Sequence, residues 1–197
     1  MEALAPQLVM RRINLQGLPP IELPQGYSLR SFREGDEKLW EQIIRVTFEN
    51  PKYQFNETMR ADEAFLPERV LFVTHDDEPV ATASAWQVKR FGPNVGYLHM
   101  VGVSPAHQGK HLGYWVSLAV LHHLITEKRT QAVLQTDDFR VPAIKTYLRM
   151  GFEPLLVHKN QRDRWRHIFQ NLGRMELLSS MDVYSSSEPE SDSGVKG

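Results

Sequence analysis

Val101-Gly102-Val103-Ser104-Pro105-Ala106-His107-Gln108-Gly109-Lys110-His111-Leu112-Gly113 passes from an apolar, β-branched run through a Gly/Lys turn straight into an apolar helical pattern. A helix that starts this way leaves its first backbone N–H groups without intrahelical partners, and its aligned peptide dipoles place about half a positive charge there. Glycine lets an anion approach those donors, and Lys110 brings a full charge to the same turn. The residues predict a phosphate cradle, although an ordinary strand-loop-helix connection with a surface lysine explains them too. Two other cradles do not fit. Six residues separate Gly102 from Gly109 and His111 follows Lys110, which excludes a Walker loop, and the Gly-x-Gly-x-x-Gly dinucleotide fingerprint is missing.

The chain around this segment has 197 residues, 41% hydrophobic and 24% charged, which predicts a single well-buried domain. Lys plus Arg number 23 against 24 Asp plus Glu, so no global field favours nucleic acid or an anionic membrane. Small molecules are the expected partners. There is no cysteine, which removes disulfides, thiolate metal sites and a cysteine nucleophile, and fits the cytosol. The opening Met1-Glu2-Ala3-Leu4-Ala5-Pro6 lacks a basic region and a long apolar run, and no segment approaches a membrane span. The expectation is a soluble, cytoplasmic protein.

Outward from the cradle, alternation and helical spacing lay out the other elements. Residues 8–26, rich in Leu, Pro and Arg, read as an extended arm laid on the domain. Tyr27 to Phe32 reads as a strand, and Asp36 is placed to cap a helix carrying Leu39, Trp40, Ile43, Ile44 and Phe48. A second helical region falls within 56–66. Arg69–Thr74 and Pro79–Val88 form a hairpin about His75-Asp76-Asp77-Glu78. Residues 95–103 are a strand, 112–128 a helix, 132–136 a buried strand and 143–150 a helix begun by Pro142 and stopped by Gly151. A last strand covers 152–158, and Asp163 is placed to cap a helix with Trp165, Ile168, Phe169 and Leu172.

This order, with Tyr147-Leu148-Arg149-Met150-Gly151-Phe152-Glu153-Pro154 near its end, resembles the GNAT acyltransferase superfamily over roughly residues 27–160. Gln108 and Gly113 match the ends of that family's Gln/Arg-x-x-Gly-x-Gly/Ala acyl-CoA loop, and Tyr147, Gly151 and Phe152 match its later signature. His111 stands where the loop usually has its middle glycine, and Arg140 stands where many relatives carry asparagine. The resemblance implies an α+β (mixed α/β) fold: a central, mixed but mostly antiparallel sheet of six to seven strands, with helices on both faces and splayed between its fourth and fifth strands (95–103 and 132–136). The implied organisation is an extended arm over 1–26, the acyltransferase domain over 27–160, a packed C-terminal helix over 161–178 and a disordered, acidic and Ser-rich tail over 179–197.

It also implies an acyl-CoA ligand, most simply acetyl-CoA, and acetyl transfer to a primary amine of a small molecule by direct attack, without metal. The implied donor site comprises Met100, Val101, Gly102, Val103, Gln108, Gly109, Lys110, His111, Leu112 and Gly113. Tyr147 is the implied acid for the departing thiolate. His99 aligns with the second strand histidine of the serotonin-type arylalkylamine N-acetyltransferases, which makes it the implied base, with Tyr97 on the same strand face. A core tyrosine and a structural histidine are the bland alternatives. A non-catalytic acyl-CoA-binding module, a protein or peptide N-acetyltransferase and a homodimer stay open.

Overall fold

In the computed structural model, which describes residues 6–179 and 181, strand β4 (Glu78–Trp86) is buried at every position after Glu78. Its small residues Ala81, Ala83 and Ala85 share one face and belong to the core there, while Trp86 belongs to the core on the opposite face, so the strand is covered on both sides and lies inside the sheet. Together with β1 (Leu8–Arg12), β2 (Tyr27–Ser31), β3 (Val70–His75), β5 (Val95–Val103), β6 (Gln131–Thr136) and β7 (Glu153–Leu155) it forms a seven-stranded sheet of order β2-β3-β4-β5-β6-β1-β7. Only the β5–β6 pair is parallel, and helix α2 (Leu112–Thr126) makes the crossover. The expected α+β architecture is the observed one.

The two faces of the sheet carry separate cores. On one, α2 packs with α3 (Val141–Arg149) and α4 (Gln161–Leu172) around Leu118, Leu121, Leu124, Ile144, Trp165 and Phe169. On the other, α1 (Glu37–Thr47) sets Trp40 and Ile44 against Phe55, Met59 and Phe72. Burying one such side chain stabilises the fold by roughly 1.5–3 kcal/mol.

Several local expectations hold in atomic detail. Asp76 and Asp77 both have positive φ (52° and 64°), the two-residue hairpin turn whose twist matches that of the flanking strands. Pro142 opens α3, and Gly151 (φ 77°) closes it while the Phe152 N–H reaches back to the Tyr147 carbonyl at 3.0 Å.

Others are corrected. Leu8–Arg12 is no surface arm: β1 lies between β6 and β7, antiparallel to both, with Leu8, Val9 and Met10 at 0%, 1% and 0% exposure. Its apolar side chains gain more from the sheet interior than from the surface. The helical region expected within 56–66 is present, as a five-residue π-helix at Asn56–Arg60. Asp36 stands at the head of α1 but makes no side-chain cap; its buried carboxylate instead takes two hydrogen bonds from Arg30, at 2.6 and 3.0 Å, and one from the Arg33 N–H. Helix α4 begins at Gln161, ahead of Asp163. The strand expected over 152–158 shortens to Glu153–Leu155. Met181, inside the expected tail, is buried against the core, and the rest of that tail beyond Ser179 lies outside the described residues.

Candidate active site

The β5–β6 ladder holds only through Val95–Gln131, Gly96–Ala132 and Tyr97–Val133, after which the two strands diverge. A parallel pair that loses its ladder opens a wedge between its carboxyl ends, and a cavity of about 690 Å³ fills this one. Its walls come from β5, the loop ahead of α2, the β6–α3 connection, α3 and the end of α1.

On β5 the backbone breaks its own pattern. Thr82 pairs with Gly102 and Ser84 with His99, so Met100 and Val101 together face the single residue Ala83. Met100 takes a left-handed φ of 48°, the mark of a β-bulge, which takes one residue out of the ladder and kinks the strand beside the cavity. Gly102 has a packing reason to be glycine. A Cβ there would stand 3.0 Å from Ile43 Cγ2 and from Thr47 Oγ1, so α1 presses directly on the strand.

Beyond β5, a single turn at Pro105–His107 leads through Gln108 and Gly109 (φ 79°) to His111, which caps α2 with φ 56°. Helical hydrogen bonding starts at the Tyr114 and Trp115 N–H groups, both donating to the His111 carbonyl, so the preceding donors are left for a ligand or solvent. His111 is not helical; it occupies the left-handed region, which His enters more readily than most side chains. The loop is anchored from behind, where the Tyr27 hydroxyl meets His107 Nδ1 at 2.9 Å. Burial, then the nearby His75 and Lys110, hold the His107 pKa below its ordinary value.

The structure brings Met100, Val101, Gly102, Val103, Gln108, Gly109, His111, Leu112 and Gly113 to this cavity, together with His99 and Tyr147. Lys110 is exposed and is not among the lining residues. Tyr147 sits on α3 at 7% exposure beside Phe152, and burial raises its pKa, so its phenol stays protonated. His99 lies between Trp86 and Tyr97, each ring 5.5 Å away, and burial lowers its pKa to about 4. Tyr97, its pKa pushed by burial to about 12, donates to Gln135 Oε1 at 3.1 Å.

Phe48, Tyr53, Gln135 and Gln7 also line the cavity, and sequence reading did not single them out. They come from three remote segments, with Phe48 and Tyr53 at and just after the end of α1, and only the folded sheet brings them together. In the Arg162–His167 stretch Trp165 is fully buried and Arg164 binds Asp138, while Asp163, Arg166 and His167 are exposed on the outer face of α4. Among the described residues, no three His, Asp or Glu side chains cluster to hold a metal, and no helix is long and apolar enough to cross a membrane.

Comparison with known proteins agrees with this geometry. Residues 37–152 match the family model for the acetyltransferase (GNAT) family. The chain is 31% identical to a mycothiol acetyltransferase of Kytococcus sedentarius over 147 residues, covering 71% of this chain and 50% of that protein. It thus spans about half the length of the relatives of this kind that it matches. Among solved structures, a GCN5-related N-acetyltransferase from Sphaerobacter thermophilus superposes with a TM-score of 0.59 at 23% identity, over 76% of this chain and 49% of that one. A GNAT family acetyltransferase from Brucella melitensis, solved in complex with acetyl-CoA, superposes with a TM-score of 0.52 at 20% identity, over 67% of this chain and 88% of that one. With a family match across more than half of its length and a sheet splayed beside a helix N-terminus, the chain belongs to the GNAT acetyltransferase family.

Proposed function

We propose that this protein transfers an acetyl group from acetyl-CoA to the primary amine of a small molecule. The observation that carries this reading is the wedge between β5 and β6, which gathers the bulged strand, the free N–H groups at the head of α2 and the Tyr147 phenol around one cavity. The α2 loop offers donors and a favourable dipole to the diphosphate, through Gln108, Gly109, His111, Leu112 and Gly113. Residues 100–103 of β5 flank the pantetheine arm, with the bulge at Met100–Val101 supplying a backbone donor for the developing oxyanion. Relatives named for mycothiol favour a small-molecule acceptor over a protein one. A cysteine-free chain suits the cytosol.

The amine nitrogen, in its neutral form, attacks the thioester carbonyl. The C–N bond forms, the C–S bond breaks, the nitrogen gives up a proton and the departing thiolate gains one. In this reading Tyr147, kept neutral by burial, is the proton donor to the departing sulfur. His99, with a pKa near 4, is too weak a base to deprotonate an incoming alkylammonium, whose own pKa is about 10. It suits the proton released after the C–N bond has formed, when that nitrogen is far more acidic.

The test is acetyl-CoA titration of the purified chain by calorimetry, followed by mass spectrometry of acyl transfer across an amine panel. Saturable binding with a transferred acetyl group is expected. Binding without transfer to any amine would leave a non-catalytic acyl-CoA module, and no binding would sink the proposal.

A further inference from the structure

Arg140 bridges two walls of the cavity. Its Nη1 donates to the Thr47 carbonyl at 3.2 Å, its Nε donates to Asp137 Oδ2 at 3.1 Å, and its guanidinium lies 4.3 Å from the centroid of the Phe48 ring. Thr47 and Phe48 end α1, while Asp137 and Arg140 belong to the β6–α3 connection on the far wall, and all four line the cavity.

Local preference does not account for an arginine here. Arg140 is the N-cap of α3, where the helix dipole disfavours a cation. What favours it lies across the cavity: the Thr47 carbonyl is one of the acceptors that the last turn of α1 leaves without an intrahelical partner, and a cation at that helix end is favourable. The rest of α1 packs on β4 and β5, and the Thr47 hydroxyl finds no hydrogen-bond partner of its own. The Arg140 side chain is only 20% exposed, so its bonds are shielded from competing water. Along α3, positions 140, 143 and 147 share one face, and Arg140, Ala143 and Tyr147 all line the cavity.

We propose that Arg140 is a positioning residue that latches the end of α1 to the β6–α3 wall across the cavity, setting the cavity's width and retaining the acyl donor within it. The ligand half of this proposal rests on the acetyl-CoA reading above; the latch itself does not. Lysine could keep the charge but could not donate to Thr47 and Asp137 in the same planar fork while stacking on Phe48.

Two measurements on the full chain test it. Hydrogen–deuterium exchange of ligand-free protein is expected to show faster uptake over residues 44–50 in Arg140→Gln than in wild type, with Arg140→Lys in between. Stopped-flow dissociation of acetyl-CoA is expected to be about tenfold faster in Arg140→Gln, the scale of one lost charge-assisted hydrogen bond. Unchanged uptake over residues 44–50 overturns the latch. A merely structural role predicts a lower melting temperature with an unchanged dissociation rate, and that result also overturns it. Failure of wild type to bind acetyl-CoA overturns the donor-retaining role together with the functional reading, and exchange still decides the latch. Should Arg140→Gln fold poorly, Phe48→Leu removes the stacked ring alone and is expected to shift both readouts in the same direction by less.

Discussion

The Tyr97 hydroxyl donates to Gln135 Oε1 at 3.1 Å, so a side-chain bond runs from the last paired residue of β5 to a β6 residue two positions past its own last pair, where the backbone ladder has stopped. The wedge is thus closed at its narrow end and open toward α2 and α3. The candidate acid and base, Tyr147 and His99, both line the cavity in this wedge.

Tyr147→Phe removes the one hydroxyl that α3 offers to the leaving sulfur. Turnover is expected to fall about 100-fold, the lower range for general acid catalysis, while acetyl-CoA affinity changes little. Because burial raises the phenol's pKa above its ordinary 10.0, the wild-type pH–rate profile is expected to show no limb from this group below pH 10. Steady-state kinetics beside calorimetry settle the point, and an unchanged turnover number removes Tyr147 from the mechanism.

His99 makes stability depend on pH in a defined direction. The unfolded chain binds its proton below 6.5, whereas the folded site resists protonation until about 4. Between those values unfolding takes up a proton, so stability is lost as pH falls through the window, by up to roughly 3 kcal/mol at its acid end. His99→Gln is expected to flatten that part of the profile. Urea melts at pH 7.5, 6 and 4.5 read it, and a slope identical to wild type would rule out the buried, neutral histidine.

His111 holds a left-handed backbone that a side chain enters at a cost. Replacing it with glycine is expected to stabilise the protein by up to about 1 kcal/mol, a rise in Tm of about 2–4 °C for a domain of this size. Acetyl-CoA binding should persist, because the donors belong to the backbone. His111→Val, β-branched at the same φ, should lower Tm and weaken binding. Thermal melts and calorimetry on the pair decide it, and a glycine variant that loses binding would show that the imidazole itself holds the ligand.

Gly96→Ala probes how closely α2 seats on β5. A Cβ at Gly96 would overlap the side chain of Leu124, which is fully buried and has nowhere to move. A loss of about 1–3 kcal/mol is expected by denaturant titration. Wild-type stability would mean that the helix and strand can separate freely.

Much of this was legible in the residues themselves. The Tyr147-to-Glu153 segment encodes the end of a helix, its left-handed stop and the start of a strand within seven positions, and the Asp76-Asp77 turn is equally local. The cradle loop was legible because a strand, a Gly/Lys turn and an apolar helix follow one another without interruption. Periodicity and turn chemistry act over a few residues, so sequence by itself determined the order of elements from Tyr27 onward and the family likeness, and that likeness in turn implied the α+β class.

Tertiary structure decided the rest. Leu8–Arg12 became an interior strand because β6 and β7 leave a gap between them, a contact more than 120 residues distant in the chain. The low pKa of His99 follows from its enclosure, which no neighbouring residue announces. Arg140 reads locally as a poor helix cap and becomes favourable only when the end of α1 arrives to accept its hydrogen bond. Desolvation, strand order and bonds across the cavity depend on residues remote in sequence, and so they exist only once the chain has folded.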